Sequence, residues 1–177
     1  MLLDLNRLHG QRERFERRFE PSAFDPQDED YRVAAPVELT MDVEKAGEDA
    51  YRVTGRAITR LEQECGRCLE PFEVRIDTTF ELRYVPAALN AGEAEREIDQ
   101  DDLTTAFYRE GSLDVIAMLR EQFQLALPMK PLHSEDCKGL CPECGTNLNH
   151  TDCGHTLRWE DPRLAALKGL LSQEKEN

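Results

Sequence analysis

Residues 51–86 read YRVTGRAITRLEQECGRCLEPFEVRIDTTFELRYVP, and this stretch decides the fold. From Val74 to Tyr84, apolar or small side chains recur at every second position. A period of two residues is typical of a β-strand that buries one face. The segment up to about Glu64 has the same character, and Cys65-Gly-Arg-Cys68 lies between the two segments. We therefore predict two long antiparallel strands with a Cys-x-x-Cys motif at the tip of their hairpin.

The strand pattern continues towards the N-terminus. Four apolar residues alternate with polar ones and predict a third half-buried strand: Val37, Leu39, Met41 and Val43. Residues 45–50 contain Gly and Asp and indicate the turn that follows it. Further upstream, Phe15 and Phe19 fit one side of a strand as well as one face of a helix. The neighbouring β-segments favour the strand.

One helix is predicted after the strands, from about Leu113 to Leu127. Ser112 is a suitable N-cap residue, and Pro128 follows the last turn. A stripe at helical spacing should cover the sheet: Ile116, Leu119, Phe123 and Leu127. Between strands and helix, residues 87–102 form an acidic loop that we interpret as a solvated linker.

These patterns predict an α+β fold, with an antiparallel β-sheet or partly closed barrel of long strands packed by one amphipathic helix. A cysteine-rich zinc-binding tail and a short helix beginning near Asp161-Pro162 complete it. The predicted domains are residues 1–132, the β domain with its packing helix, and residues 133–177, the tail.

Charge and hydropathy narrow the function classes. The 177 residues include 22 Lys and Arg against 36 Asp and Glu, a net charge of −14. This balance favours a basic protein partner over a protein that coats nucleic acid with a basic face. The longest apolar run, Val115–Leu119, is far too short to cross a bilayer, and Asp4 interrupts any signal-like segment. We expect a cytoplasmic protein that does not insert in a membrane.

The cysteines are the most informative residues. There are six of them, and in a chain with no export signal clustered cysteines are more often metal ligands than disulfides. Four lie within 17 residues of the tail and are the predicted zinc ligands: Cys137, Cys141, Cys144 and Cys153. Gly145 would let the chain turn past Cys144 so that amide groups point at the sulfurs.

Other ligand sets remain open at this point. A rival set joins the two Cys-x-x-Cys pairs, Cys65 with Cys68 and Cys141 with Cys144, and it requires a much longer loop closure. His150 or His155 could also replace Cys153.

Cys65 and Cys68 have three interpretations: half of a metal site, a redox pair, or a tight turn. Redox pairs usually open a helix, whereas strands flank this motif. We regard the two cysteines as a possible second metal pair, and Arg67 between them as a possible partner contact. The sequence shows no catalytic motif, so we expect a protein that is not an enzyme. The alternatives are a zinc-dependent nucleic-acid-binding module and, less favoured, a thiol or zinc enzyme.

Three motifs together resemble one bacterial family: ECGRCLEPF at 64–72, LALPMKPL at 125–132, and CKGLCPECGTNLN at 137–149. The chain is similar to the YceD-type large ribosomal RNA subunit accumulation proteins, and DPRLAALK at 161–168 resembles their closing helix. The resemblance implies a non-enzymatic ribosome biogenesis factor that supports accumulation of the large-subunit (23S) ribosomal RNA. The implied partner is a ribosomal protein or the pre-ribosomal large subunit, with a possible contact to ribosomal RNA. No small-molecule substrate is expected.

Overall fold

The computed structural model describes residues 1–24, 30–89 and 104–155. It divides into two compact units. The first comprises Met1–Cys65 and Glu70–His133, and the second comprises Gly66–Leu69 together with the chain from Ser134 onward. The predicted domain boundary between residues 132 and 133 stays a prediction. The units differ from the predicted domains because Gly66–Leu69, at the tip of the hairpin, belong to the second unit. The predicted helix at 161–168 and most of the acidic loop lie outside the described residues.

Besides three short 3₁₀ helices (Leu5–Arg7, Pro21–Ala23 and Ala87–Leu89), the first unit contains eight strands and one α-helix among the described residues. They are β1 (Leu2–Asp4), β2 (Arg12–Phe19), β3 (Arg32–Val33), β4 (Val37–Lys45), β5 (Tyr51–Glu64), β6 (Pro71–Pro86), β7 (Thr105–Tyr108), β8 (Ser112–Asp114) and α1 (Val115–Ala126).

The six-stranded sheet has the order β2-β4-β5-β6-β7, with β3 beside β5, and β1 pairs with β8 in a separate two-stranded sheet. All pairs are antiparallel except β6 with β7, which are parallel, so the predicted all-antiparallel sheet is in fact mixed. The end strands β2 and β7 do not pair with each other in the described chain. The described strands therefore form no closed barrel. The short strands β1 and β8 pair with each other instead of bridging those open edges.

The long hairpin of β5 and β6 confirms the prediction made from residues 51–86. Its register runs from Tyr51 opposite Tyr84 to Glu64 opposite Pro71. Along β5 the side chains alternate between the core and the outer face, as the two-residue period requires. The strand predicted at Phe15 and Phe19 is β2.

The core lies between the inner face of this sheet and α1. Val115, Met118, Leu119 and Phe123 are the buried apolar residues of the helix. The helix begins two residues later than predicted, and its N-cap is Asp114 rather than Ser112. The Asp114 carboxylate accepts hydrogen bonds from the amides of Ile116 (3.0 Å) and Ala117 (3.3 Å), whereas Ser112 belongs to β8.

Gly55 occupies the most crowded position of β5. A Cβ atom there would lie 2.6 Å from Phe80 Cζ, 2.8 Å from the Thr40 carbonyl oxygen and 2.9 Å from Met41 Cβ. Glycine is required here because neighbouring strands approach the backbone closely, and not because of an unusual φ angle.

The outer face of the sheet carries alternating opposite charges. Its arginines are Arg12, Arg14, Arg18, Arg32, Arg52, Arg56, Arg60, Arg75 and Arg83. Its acids are Glu16, Glu38, Asp42, Glu44, Glu62, Glu64, Glu73, Asp77 and Glu81. Nine positive charges thus face nine negative ones, so this surface is balanced in a chain whose net charge is −14. No described helix is both long enough and apolar enough to span a membrane.

Candidate metal centre

The second unit is built around a tight turn that carries Cys141 and Cys144. The Cys141 amide donates to the Thr146 carbonyl at 2.8 Å, and the Gly145 amide donates to the Cys141 carbonyl at 2.8 Å. Gly145 has a φ of +73°, a conformation that side-chain-bearing residues rarely adopt. The glycine that follows Cys144 therefore allows the chain to fold back over the cysteine, as the sequence indicated.

Four potential ligand atoms meet beside this turn. They belong to Cys141, Cys144, Cys153 and His155, and all lie within 4.8 Å of one another. His155 Nδ1 is 3.3 Å from Cys153 Sγ and 3.7 Å from Cys141 Sγ. Tetrahedral zinc with ordinary Zn–S and Zn–N bond lengths places its sulfur and nitrogen ligands about 3.6 Å apart. Three sulfurs and one imidazole at these separations could hold a metal ion, and the donor set fits zinc.

Local hydrogen bonds prepare Cys144 for this role. Its Sγ lies 3.2 Å from Thr146 Oγ1. Hydrogen bonds from the Thr146 side chain and backbone amide lower the pKa of the Cys144 thiol to about 6. Because the thiolate is the form that binds metal, this turn favours the ligating state before any ion arrives.

The second unit lacks an apolar core of its own in its described part. Its buried apolar-class side chains are those of Cys68, Cys137 and Cys141, while Leu140 and Leu148 are only partly buried. A unit of this size without a buried aliphatic cluster usually depends on a metal or disulfides. All six cysteines are free thiols here, and those of the ligand group beside the turn could hold a metal ion.

Cys137, the remaining predicted ligand, lies apart from the other three. Its sulfur is within 4.8 Å of the Cys68 sulfur, also in the second unit. Asn149 Nδ2 donates to Cys137 Sγ at 3.4 Å, and Asn149 Oδ1 accepts from the Lys138 amide at 2.8 Å. The structure thus brings Cys141, Cys144 and Cys153 together, with His155 rather than Cys137 as their neighbour.

The other cysteine pair, Cys65 and Cys68, is divided between the units. In the first unit, Cys65 Sγ and a ring nitrogen of His133 lie within 4.8 Å of each other. In the second, Arg67 Nη1 donates to the carbonyl oxygens of Glu135 and Cys137, both at 2.9 Å. The Leu140 amide donates to the Arg67 carbonyl at 3.0 Å. The Nη1 group of Arg67 therefore forms hydrogen bonds within the second unit. The role of Arg67 as a partner contact stays a prediction.

Two residues of the second unit have contacts that were not predicted from the sequence: His155 and Asn149. His155 was considered only as a substitute for Cys153, whereas it lies beside Cys153 in a Cys-x-His spacing. That spacing is the sequence signal that could have identified it. Asn149 has no such signal, because nothing in the local sequence shows that its side chain contacts Lys138 and Cys137, eleven and twelve residues earlier.

Comparison with known proteins now identifies the family. The family described as "Large ribosomal RNA subunit accumulation protein YceD" matches residues 53–171. The chain belongs to the YceD family. The matched region includes the hairpin, the helix and all six cysteines. Membership of this family supports a role related to ribosome biogenesis.

Individual relatives match most of the chain. An uncharacterized protein of Mycobacterium tuberculosis (strain ATCC 25618 / H37Rv) is 30% identical over 144 residues, 80% of this chain and 65% of the relative. An uncharacterized protein of Mycobacterium leprae is 29% identical over 79% of this chain and 61% of the relative. A large ribosomal RNA subunit accumulation protein YCED homolog 1, chloroplastic, of Zea mays is 25% identical over 76% of this chain and 53% of the relative.

The chain thus spans less than two thirds of the length of each of these relatives. No solved structure shows significant similarity to the chain.

Proposed function

We propose that this protein is a non-enzymatic factor that supports accumulation of large-subunit (23S) ribosomal RNA in the cytoplasm. It does so by binding a ribosomal protein or a precursor of the large subunit. The observation that carries the proposal is the family match over residues 53–171, which contains the cysteine tail and the long hairpin. The name of the maize relative points to the same process.

The charge of the chain supports a basic protein as the direct partner. The net charge is −14, and the outer face of the sheet contributes equal numbers of both signs. The excess of acid therefore lies in residues outside this face, and a net negative charge favours a basic protein over bare phosphate.

The proposed cofactor is one structural zinc ion held by Cys141, Cys144, Cys153 and His155. Bound zinc would supply cross-linking of the tail, since four protein ligands leave no position for a reacting water. Two residues of the turn prepare the ligands: hydrogen bonds from Thr146 favour the thiolate form of Cys144, and Gly145 adopts the positive φ angle that the turn requires.

Zinc binding is tested by metal analysis and thiol counting on one sample of native protein. We expect at least one zinc, lost in Cys141→Ser and in Cys153→Ser. A further equivalent that disappears in the Cys65→Ser/Cys68→Ser double variant would support the second-metal prediction. Full zinc content in Cys141→Ser would contradict both ligand sets, since Cys141 belongs to each. Loss of zinc in Cys137→Ser together with full zinc in His155→Ala would instead favour the set predicted from sequence.

The function itself is tested by depletion and complementation. In depleted cells we expect 23S ribosomal RNA to fall relative to 16S, and the protein to co-sediment with large-subunit precursors in wild-type cells. The wild-type gene should restore the ratio, whereas Cys141→Ser should restore it poorly. An unchanged ratio of 23S to 16S on depletion would refute the proposal.

Direct contact with RNA is the second candidate, and the outer face of the sheet favours it. Arg52 lies directly opposite Arg83, and Arg60 lies opposite Arg75. Arg52, Arg60 and Arg75 lie 3.5, 3.5 and 3.8 Å from acidic side chains, whereas Arg83 has no described acidic partner. A phosphate beside Arg83 would supply the negative charge that it lacks. Salt-dependent binding of a short 23S fragment, weakened by Arg52→Ala/Arg83→Ala but not by Arg7→Ala, would support this contact.

A further inference from the structure

A groove in the first unit is separate from the cysteine centre. It lies where the end of β6, strands β7 and β8 and the first turns of α1 meet, and it encloses about 650 Å³. This volume is within the range of about 300–1,000 Å³ usual for ligand pockets. Leu113 and Met118 are buried in its wall, whereas Phe107 is 44% exposed at its rim.

The groove is acidic as well as apolar. Its described lining includes the carboxylates of Glu110, Asp114 and Glu121 and a single cationic side chain, Arg109. The Met1 amino group lies 3.6 Å from Asp114. Asp114 already accepts two hydrogen bonds as the N-cap of α1. Glu121, in contrast, has no described hydrogen bond or ion pair.

Tyr84 gives the groove a second, independent feature. Its side chain lines the groove and is only 4% exposed, yet its hydroxyl has no hydrogen-bond partner among the described residues. Burial first, and then the charges of Glu121 and Asp114, raise the pKa of Tyr84 well above its usual value. Although the side chain is buried, its hydroxyl oxygen still reaches water at the groove, where a hydrogen-bonding group of a ligand can replace that water.

A cationic side chain would satisfy all three groups at once. An ammonium or guanidinium group can donate to the Tyr84 hydroxyl while its charge faces the Glu121 and Asp114 carboxylates. Its aliphatic stem would cover apolar wall atoms, as lysine and arginine stems commonly do. An anion would meet three carboxylates here, and an uncharged apolar group would leave the Glu121 carboxylate and the Tyr84 hydroxyl without a partner.

We propose that this groove binds a lysine- or arginine-bearing segment of the basic protein partner. The cationic head lies between Tyr84, Asp114 and Glu121, and neighbouring apolar residues of the segment contact Phe107. This inference rests on the proposed function, since it locates on the molecule the surface that receives a basic ribosomal protein.

The test uses a fluorescein-labelled peptide of five Lys-Val repeats and full-length protein loaded with zinc. We expect Tyr84→Phe and Glu121→Gln each to raise the Kd measured by fluorescence anisotropy about three- to tenfold, the effect of one lost hydrogen bond or charge contact. Glu81→Gln removes the same charge from the outer face of the sheet and should change the Kd less than about twofold.

Tyr84→Phe also separates binding from folding. Because the hydroxyl is unpaired in the free protein, its removal should leave the free energy of unfolding unchanged or slightly raised while it weakens the peptide. Equal losses of affinity in Tyr84→Phe, Glu121→Gln and Glu81→Gln would overturn the proposal and indicate general charge attraction. So would equal binding of a Glu-Val peptide, or peptide binding displaced by a 23S fragment but insensitive to Tyr84→Phe.

The same variants distinguish this proposal from the proposed function. If Tyr84→Phe/Glu121→Gln co-sediments with large-subunit precursors as well as the wild type does, the groove is not the docking site although the function stands. If the wild-type protein itself fails to co-sediment and its depletion leaves 23S ribosomal RNA unchanged, the function fails whatever the peptide binds.

Discussion

A single methyl group added at Gly55 has no free space in the sheet. We predict that Gly55→Ala lowers the free energy of unfolding by about 1–3 kcal/mol, because the Thr40 carbonyl and the Met41 Cβ belong to a backbone that cannot move aside cheaply. Urea unfolding monitored by circular dichroism measures the change. Gly47→Ala is the matched control, since a Cβ there meets only Ala50 Cβ at 3.6 Å. Equal stability of the two variants would contradict this packing.

His155 permits an equally specific test of the metal centre. We predict that His155→Ala weakens zinc affinity about tenfold or more, because one of four ligands is lost, whereas His155→Cys retains much of it. His150→Ala is the control, since His150 is not part of the ligand group in the described chain. Competition with a chromogenic chelator measures the affinities. Equal affinities of His155→Ala and His150→Ala would exclude the imidazole as a ligand.

The sequence indicated that tail cysteines lie close together, but it did not indicate which fourth group lies beside Cys141, Cys144 and Cys153. Short spacing identified Cys141, Cys144 and Cys153 as neighbours, because a tight turn brings such residues together in almost any fold. It could not separate Cys137 from them, because the Cys137 carbonyl binds Arg67, which is 70 residues away in sequence.

At the scale of elements, ion pairs between strands give the sheet a pH dependence. Arg56 Nε and Nη2 each donate to an Asp77 carboxylate oxygen at 2.6 Å. The hydrogen bond from Arg56, and then its charge, lower the pKa of Asp77 below its usual value. The stabilisation is therefore complete above the pKa of the unfolded chain and is lost as the pH falls through the lowered value.

We predict that Asp77→Asn destabilises the protein at pH 7 and has a smaller effect near pH 2, where the wild-type carboxylate is protonated as well. Chemical unfolding of both proteins at the two pH values measures the difference. Glu38→Gln is the control, because its nearest arginine nitrogen is 4.0 Å away. A difference that is the same at both pH values would refute the argument.

The periodicity of the sequence predicted which segments are strands and which is the helix. It did not predict where the helix begins or in which direction β7 pairs with β6. Alternating side chains specify that β4, β5 and β6 have one buried face, and the pattern holds because neighbouring strands share that face. No local pattern indicates that β7 runs parallel to β6, since a four-residue strand carries too little information to fix its direction. The helix start was also ambiguous, because Ser112 and Asp114 are both good caps and the pairing of β8 with β1 decides between them.

At the scale of the whole molecule, the described parts of the two units bury different kinds of side chain. The first buries a continuous apolar cluster, and the second buries cysteines. We predict that removing the metal with a chelator abolishes amide exchange protection at Cys141 and Leu148 and leaves protection in β4–β6 nearly intact. Hydrogen exchange with mass spectrometry measures both, with reductant alone as the control. Simultaneous loss of protection in the sheet would contradict independent stabilisation.

The second unit joins Gly66–Leu69 to residues that are synthesised much later. During translation, Arg67 leaves the ribosome before α1 exists, and the carbonyl groups of Glu135 and Cys137 that it binds follow only after the helix is complete. The ligands between Cys141 and His155, in contrast, arrive almost together and need only a short loop closure to meet. A chain halted before Ser134 would therefore contain the whole β5–β6 hairpin, but Arg67 would lack the carbonyl groups of Glu135 and Cys137. These hydrogen bonds form only once the residues after Ser134 have been synthesised.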